Sequence, residues 1–153
     1  MSHAYVRNHL HLTWGTRGRR KNLPPPQQEK LWAYIRGICR NYAMDLEAIG
    51  GIEDHVHLLI ALPAKLSLAH AVAAIKANSS KWMNENGHFF AWQEGYAAFS
   101  VSTSNLKAVA DYIRNQPQHH KKRSFQEEFD ALLQKHGVEL SHDLLPAPKR
   151  GAA

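Results

Sequence analysis

Cysteine is almost missing from this chain: Cys39 is the only one in 153 residues. No internal disulfide can form, which fits a reducing compartment. Long hydrophobic runs are missing too. The longest apolar stretches reach about half of what a bilayer-spanning helix needs, so no membrane partner is expected. The opening residues, "MSHAYVRNHLHLTW", lack the charged start, apolar centre and small-residue cleavage site of a secretory signal. The cytoplasm is the expected compartment. Acidic residues are in the minority, 13 against 19 Lys and Arg, and the net charge is +6. That balance suits an anionic partner such as nucleic acid, although a merely soluble basic protein would show it as well. Apolar content is ample. Hydrophobic residues make up 44% of the chain, enough for one compact domain of ordinary size. No internal repeat is visible.

Residues 5–14 alternate, with His9, His11 and Thr13 on one face and Leu10, Leu12 and Trp14 on the other, as in a strand with one buried face. "NLPPP" breaks the chain, and Pro26 suits a helix start. Leu31, Ile35, Ile38, Cys39 and Tyr42 then recur at helical spacing over 26–43. Residues 45–53 and 55–62 read as a strand hairpin, with an irregularity expected at Gly50–Gly51. The second of these strands is apolar on both faces, as an inner strand is. Ser67 is placed to cap a helix whose inner stripe is Leu68, Val72, Ile75, Ser79 and Trp82, and Gly87 to end it. After the aromatic loop "HFFAWQEG", residues 96–102 make a fourth strand. A third helix begins near Ser104 with Leu106, Val109, Ala110 and Ile113 inward, and a fourth spans about 124–136. One domain over 1–137 is expected, followed by a flexible tail over 138–153. The order β-α-β-β-α-β, then helices, is that of an α+β ferredoxin-like fold. It implies a four-stranded antiparallel sheet with helices on one face and the other face free for a substrate.

Two basic clusters stand at element ends, where side chains reach a phosphate backbone. One is Arg17, Arg19, Arg20 and Lys21. The other is His119, His120, Lys121, Lys122 and Arg123. Lys76 and Lys81 on the second helix either face DNA or form a solvated surface. Trp92, Tyr96 and Phe99 either stack on bases or pack in the core.

The chemistry rests on two further features. His55 and His57 are two residues apart on a strand and so point the same way, which lets two neutral imidazoles share one divalent metal. His9 and His11 have the same spacing, so this pattern alone does not choose between the pairs or exclude plain polar residues at a strand end. Glu53 and Asp54 precede His55 and either orient an imidazole or are solvated turn acids. The second feature is Tyr112, on the flank of the third helix's apolar stripe, with Gln116 four residues on and on the same side. A tyrosine and a carboxamide placed so can bring a nucleophile and a metal ligand together, and a tyrosine partly packed in the core has the same pattern. Pro117 disfavours helical backbone at Gln116, so the helix is expected to end or kink there.

"HVHLLIALP", followed about 55 residues later by "YIRNQPQHH" with "FAWQEGYAAFSVS" between them, resembles the single-tyrosine HUH transposases of bacterial insertion sequences. The resemblance runs from about residue 5 to 137. It implies a ferredoxin-like sheet with C-terminal helices carrying the nucleophile. It also implies a homodimer acting on single-stranded DNA with hairpin ends, dependent on Mg²⁺ or Mn²⁺ and on no small-molecule cofactor. Position by position, it implies Tyr112 as nucleophile and His55, His57 and Gln116 as metal ligands, in preference to His9 and His11. Residues 102–105 would be the hinge if the tyrosine helix were exchanged between subunits. Two other readings stay open. One is a host-retained, REP-associated type of tyrosine nuclease acting on dispersed palindromes; the other is a non-catalytic nucleic-acid-binding domain.

Overall fold

The structure, a computed structural model, describes residues 3–139. The expected tail over 138–153 lies almost wholly outside them. The elements follow in the expected order, with one short helix, α4, added: β1 (His9–Gly15), α1 (Pro25–Asn41), β2 (Asp45–Ile52), β3 (His55–Ala61), α2 (Leu68–Glu85), β4 (Ala97–Val101), α3 (Leu106–Arg114), α4 (Gln116–His119) and α5 (Phe125–Lys135). The sheet order is β2-β3-β1-β4 with every neighbouring pair antiparallel. This is the ferredoxin-like arrangement, with β3 seated between the two strands joined by α1.

Alternation along the strands divides the molecule. Leu10, Leu12 and Trp14 of β1 and Val56, Leu58 and Ile60 of β3 turn to one face. There they meet Leu31, Ile35, Ile38 and Cys39 of α1 and Val72, Ile75 and Met83 of α2. Each such side chain contributes about 1.5–3 kcal/mol by leaving water. Ser67 caps α2 as expected, its hydroxyl accepting from the His70 N–H at 3.1 Å. Trp92 and Phe99 are core residues, 5% and 4% exposed, and Tyr96 is 38% exposed. Trp92 donates its indole N–H to Ser79 inside the core.

The opposite face is not free, contrary to expectation. Ala110 and Ile113 of α3 pack on Ala48 and Leu59, and Phe125, Phe129 and Leu133 of α5 pack on Ala97 and Phe99. The apolar stripes of α3 and α5 need a surface to bury against, and this face supplies it. The irregularity in β2 also falls elsewhere: the register shifts between Leu46 and Ala48, while Gly50 and Gly51 pair regularly with His57 and Val56. Gly50 has a different role. A Cβ there would run into the Ile113 carbonyl of α3, so the glycine is what lets that helix lie against β2.

Candidate active site

Covering the second face buries what it carries. His55 and His57 open β3, directly after the two-residue turn Glu53–Asp54. Both are fully buried, and Thr13 and His11 of β1 lie beside them. His57 Nε2 is 2.7 Å from Glu128 Oε1, and His55 Nε2 is 3.5 Å from the same oxygen. The ligating atoms of His55, His57 and Glu128 all lie within 4.8 Å of one another. The Tyr112 hydroxyl donates to Glu128 Oε2. Gln116 is fully buried; its Oε1 lies 2.9 Å from His55 Nε2 and its Nε2 donates to Glu128 Oε2 at 3.0 Å. The helix break foreseen at Gln116 comes one residue earlier. α3 ends at Arg114, Asn115 leaves helical geometry, and Gln116 and Pro117 start α4. The break turns Gln116 inward.

Glu128 is the residue that sequence reasoning missed. Its signal lies in "SFQEEFDALLQK". Phe125, Phe129 and Leu132 set the inward stripe of α5, and position 128 falls on that stripe, three residues from Phe125. Glu127, next to it, is a capping partner of Ser124. A carboxylate on an apolar stripe is rare unless it is paired, and this one is 3% exposed.

The hydrogen bonds set the tautomers. Asp54 Oδ1 lies 2.8 Å from His55 Nδ1; a carboxylate only accepts, so Nδ1 carries the hydrogen. The bare Nε2 lone pair of His55 then faces two further acceptors, Gln116 Oε1 and Glu128 Oε1. Three acceptors converging in a buried space could hold a cation, and two imidazoles with carboxylate and carboxamide oxygens are a donor set that fits a divalent metal. Asp54 thus orients an imidazole and is not a solvated turn acid. His11 Nε2 is 2.8 Å from His57 Nδ1, so His11 supports His57 from behind. His9 stands apart, 3.0 Å from Glu47.

The ionisation states follow from burial and pairing. Burial and the neighbouring His57 pull His11 down to about 3. Burial lowers His57 to about 4 in spite of Glu128. Glu128 is pushed up by burial, but hydrogen bonds from His120, His57 and Tyr112 outweigh this and hold it well below the usual carboxylate range. Burial and the Glu128 carboxylate raise the Tyr112 hydroxyl well above its ordinary value.

The basic residues take different places. Arg17, Arg19, Arg20 and Lys21 are exposed beyond β1, and Arg19 lies 5.3 Å over the Phe125 ring, which stacks on His55 at 4.2 Å. Lys76 is not turned outward: its ammonium donates to the Gln93 and Gly95 carbonyls at 2.6 and 2.8 Å. Lys81 is exposed and faces Glu85. Lys121, Lys122 and Arg123 are exposed, as is His119, whose ring lies 4.8 Å from that of Tyr112. His120 does not face solvent. Its Nε2 is 2.9 Å from Gln116 Oε1 and 3.3 Å from Glu128 Oε2. Burial lowers its pKa, but Glu128 more than offsets this and the net shift is upward.

The profile of the family described as "Transposase IS200 like" matches residues 4–116. The transposase for insertion sequence element IS200 of Salmonella typhimurium is 22% identical over 126 residues, covering 76% of this chain and 81% of the relative. A Deinococcus radiodurans protein assigned as a transposase superposes with a TM-score of 0.61 at 25% identity, over 76% of this chain and 96% of its own. The REP-associated tyrosine transposase solved with a REP hairpin shares the fold, with a TM-score of 0.61 over 100% of this chain and 94% of its own at 18% identity. These matches put the chain among the DNA-processing enzymes, as a transposase. It belongs to the IS200-like transposase family. Among the described residues, no helix is long and apolar enough to cross a membrane.

Proposed function

We propose that this protein cuts and rejoins single-stranded DNA during transposition, with Tyr112 as the nucleophile. The observation that carries the reading is the shared carboxylate: Glu128 touches the Tyr112 hydroxyl with one oxygen and His57 with the other. His55, His57 and Glu128, with Gln116 Oε1, would hold the metal. Carboxylate and carboxamide oxygens suit Mg²⁺ and Mn²⁺, and two imidazoles favour the transition metal of the pair. A divalent ion there would polarise the oxygens of the scissile phosphate and offset charge growing in the transition state.

The chain's own residues do the rest. Glu128 Oε2 holds the Tyr112 hydroxyl and takes up its hydrogen as the tyrosine oxygen bonds to phosphorus. The bond from phosphorus to the 3′ oxygen breaks, and that oxygen leaves as a hydroxyl after taking a proton from water. The 5′ phosphate stays on Tyr112. The phosphoester bond is exchanged and not hydrolysed, so the reverse attack by a different 3′ hydroxyl joins a new strand. Arg17, Arg19, Arg20, Lys21, Lys121, Lys122 and Arg123 are the candidates for phosphate contacts, and a strand with hairpin ends is the proposed substrate.

The test is covalent capture. The protein is mixed with labelled strands from the DNA flanking its own gene and Mn²⁺ or Mg²⁺, then run on a denaturing gel. A metal-dependent adduct that disappears in Tyr112→Phe supports the reading; metal-independent cutting by that variant at the wild-type rate rejects it. The proposed homodimer adds a question about sharing. The cluster closes within one chain, so mixed Tyr112→Phe and His57→Ala protomers should stay inactive; regained activity would mean that the tyrosine works across subunits. One observation favours the host-retained variant of the same chemistry. The family match ends at residue 116, before Glu128, whereas the likeness to the REP-associated structure spans the whole chain. Many dispersed palindromes around a single gene copy would decide for it.

A further inference from the structure

Phe89 is 88% exposed. A single exposed aromatic is ordinary on a protein surface; the setting of this one is not. Its segment is tied down. Phe90 and Trp92 are buried anchors. The Phe90 carbonyl accepts from Asn84 Nδ2 at 2.8 Å and from the Ser80 hydroxyl at 3.3 Å, and its N–H donates to Asn84 Oδ1 at 3.2 Å. The same segment is laid alongside the first basic cluster. The Arg17 N–H donates to the Ala91 carbonyl at 2.9 Å, Thr16 bridges to Trp92, and Asn22 Nδ2 donates to the Phe89 carbonyl at 3.4 Å. Arg17, Arg19, Arg20 and Lys21 are all exposed, and none forms a salt bridge among the described residues. Gly18 and Arg19 both have left-handed backbone, with φ of 63° and 54°. For arginine that conformation is unfavourable, yet it sets Arg19 over Phe125, and Phe125 stacks on His55. The basic segment therefore runs from Phe89 to the edge of the His55–His57–Glu128 cluster.

We infer that Phe89 and the segment Arg17–Lys21 form a seat for a nucleotide of the single strand, outside the reacting bond. The ring stacks on a base, and the cations hold the phosphates on either side. Stacking on a ring face tolerates any base but requires one freed from a duplex, so the seat accepts single strands with little regard to sequence. The inference rests on the reading of the protein as an enzyme of single-stranded DNA.

The test measures binding without cleavage, in chelator, using a labelled oligo-dT strand that carries one 2-aminopurine. Phe89→Ala should weaken binding about tenfold and remove the change in 2-aminopurine fluorescence, while Phe89→Trp restores both. Arg17→Ala with Arg20→Ala should flatten the dependence of log affinity on log salt by about 1.4, while Arg40→Ala at the far end of α1 leaves it unchanged. Circular dichroism confirms that each variant folds. If Phe89→Ala binds as the wild type does, the seat is wrong, and the ring is left for a protein or lipid partner. If that happens while the wild type still forms its Tyr112 adduct with metal, only the seat fails. If the wild type neither binds single strands nor forms an adduct, the reading beneath it fails.

Discussion

The Tyr112 hydroxyl and the His57 ring sit on opposite oxygens of one carboxylate, that of Glu128. The proposed nucleophile and the candidate metal site therefore share a side chain that neither β3 nor α3 supplies. Glu128→Gln keeps the shape and removes the charge. Mn²⁺ affinity, read by calorimetry, should fall by at least about 10–100-fold, the loss typical even of outer partners of metal ligands. Adduct formation should fall with it. Unchanged Mn²⁺ affinity in Glu128→Gln would make this residue a structural acid only.

Tyr112→Phe separates chemistry from architecture. Glu128 Oε2 retains Gln116 as donor, with His120 close by, so loss of the hydroxyl should cost only about 1 kcal/mol of stability. Strand binding and Mn²⁺ affinity should stay within about twofold of wild type, while the adduct vanishes.

His11 touches the proposed metal only through His57. His11→Leu leaves His57 Nδ1 without its partner and frees the ring to turn. Mn²⁺ affinity should drop by about 10–100-fold, with part of it restored in His11→Asn, which returns a polar group to the site. An unaffected affinity in the leucine variant would show that packing alone holds His57.

Much of this was legible in the sequence, for physical reasons that differ by residue. Alternation exposed β1, a short run apolar on both faces exposed β3, and helical spacing exposed the long helices through the stripe each buries. Periodicity also put His55 and His57 on one side of an inner strand and Tyr112 and Gln116 on one side of a helix. It could not show that the second sheet face would be covered, because the stripe of α5 names no surface to pack on. Glu128 was lost for the same reason: only the docking of α5 against β4 and β3 brings it to the histidines. His120 and Lys76 read as surface cations, but acceptors that helical spacing does not reveal draw both inward: Gln116 and Glu128 for His120, the Gln93 and Gly95 carbonyls for Lys76. Gly50–Gly51 read as a bulge because glycine in a strand signals either irregularity or close approach, and only the position of α3 decides between them.

Gly50→Ala tests that close approach. The new Cβ meets backbone, the Ile113 carbonyl of α3, and backbone yields less readily than a side-chain end. A loss of about 1–3 kcal/mol in urea unfolding is expected, together with weaker adduct formation as α3 and Tyr112 shift. Gly37→Ala is the control. It lies inside α1, where an added Cβ meets nothing within 4 Å, and it should stabilise by about 0.5–1 kcal/mol.

Acid should loosen the metal-free protein well above the usual carboxylate range. His11 and His57 are held near 3 and 4 in the fold and return to about 6.5 when the chain unfolds. The stability they contribute is fully present above pH 6.5 and is lost as pH falls through 4 toward 3, at up to about 1.4 kcal/mol per pH unit for each group. Glu128 acts in the same direction, its share present above its unfolded value near 4.5 and lost below it. His120 opposes them: its raised pKa favours the fold below 6.5 and ceases to do so as pH rises through the folded value. Two histidines outweigh one, so the urea midpoint in chelator should decline from pH 7 to pH 5, and His11→Leu should flatten the decline. A level midpoint across that range would mean that the buried imidazoles are already charged in the fold, and the lowered pKa values of His11 and His57 would have to be abandoned.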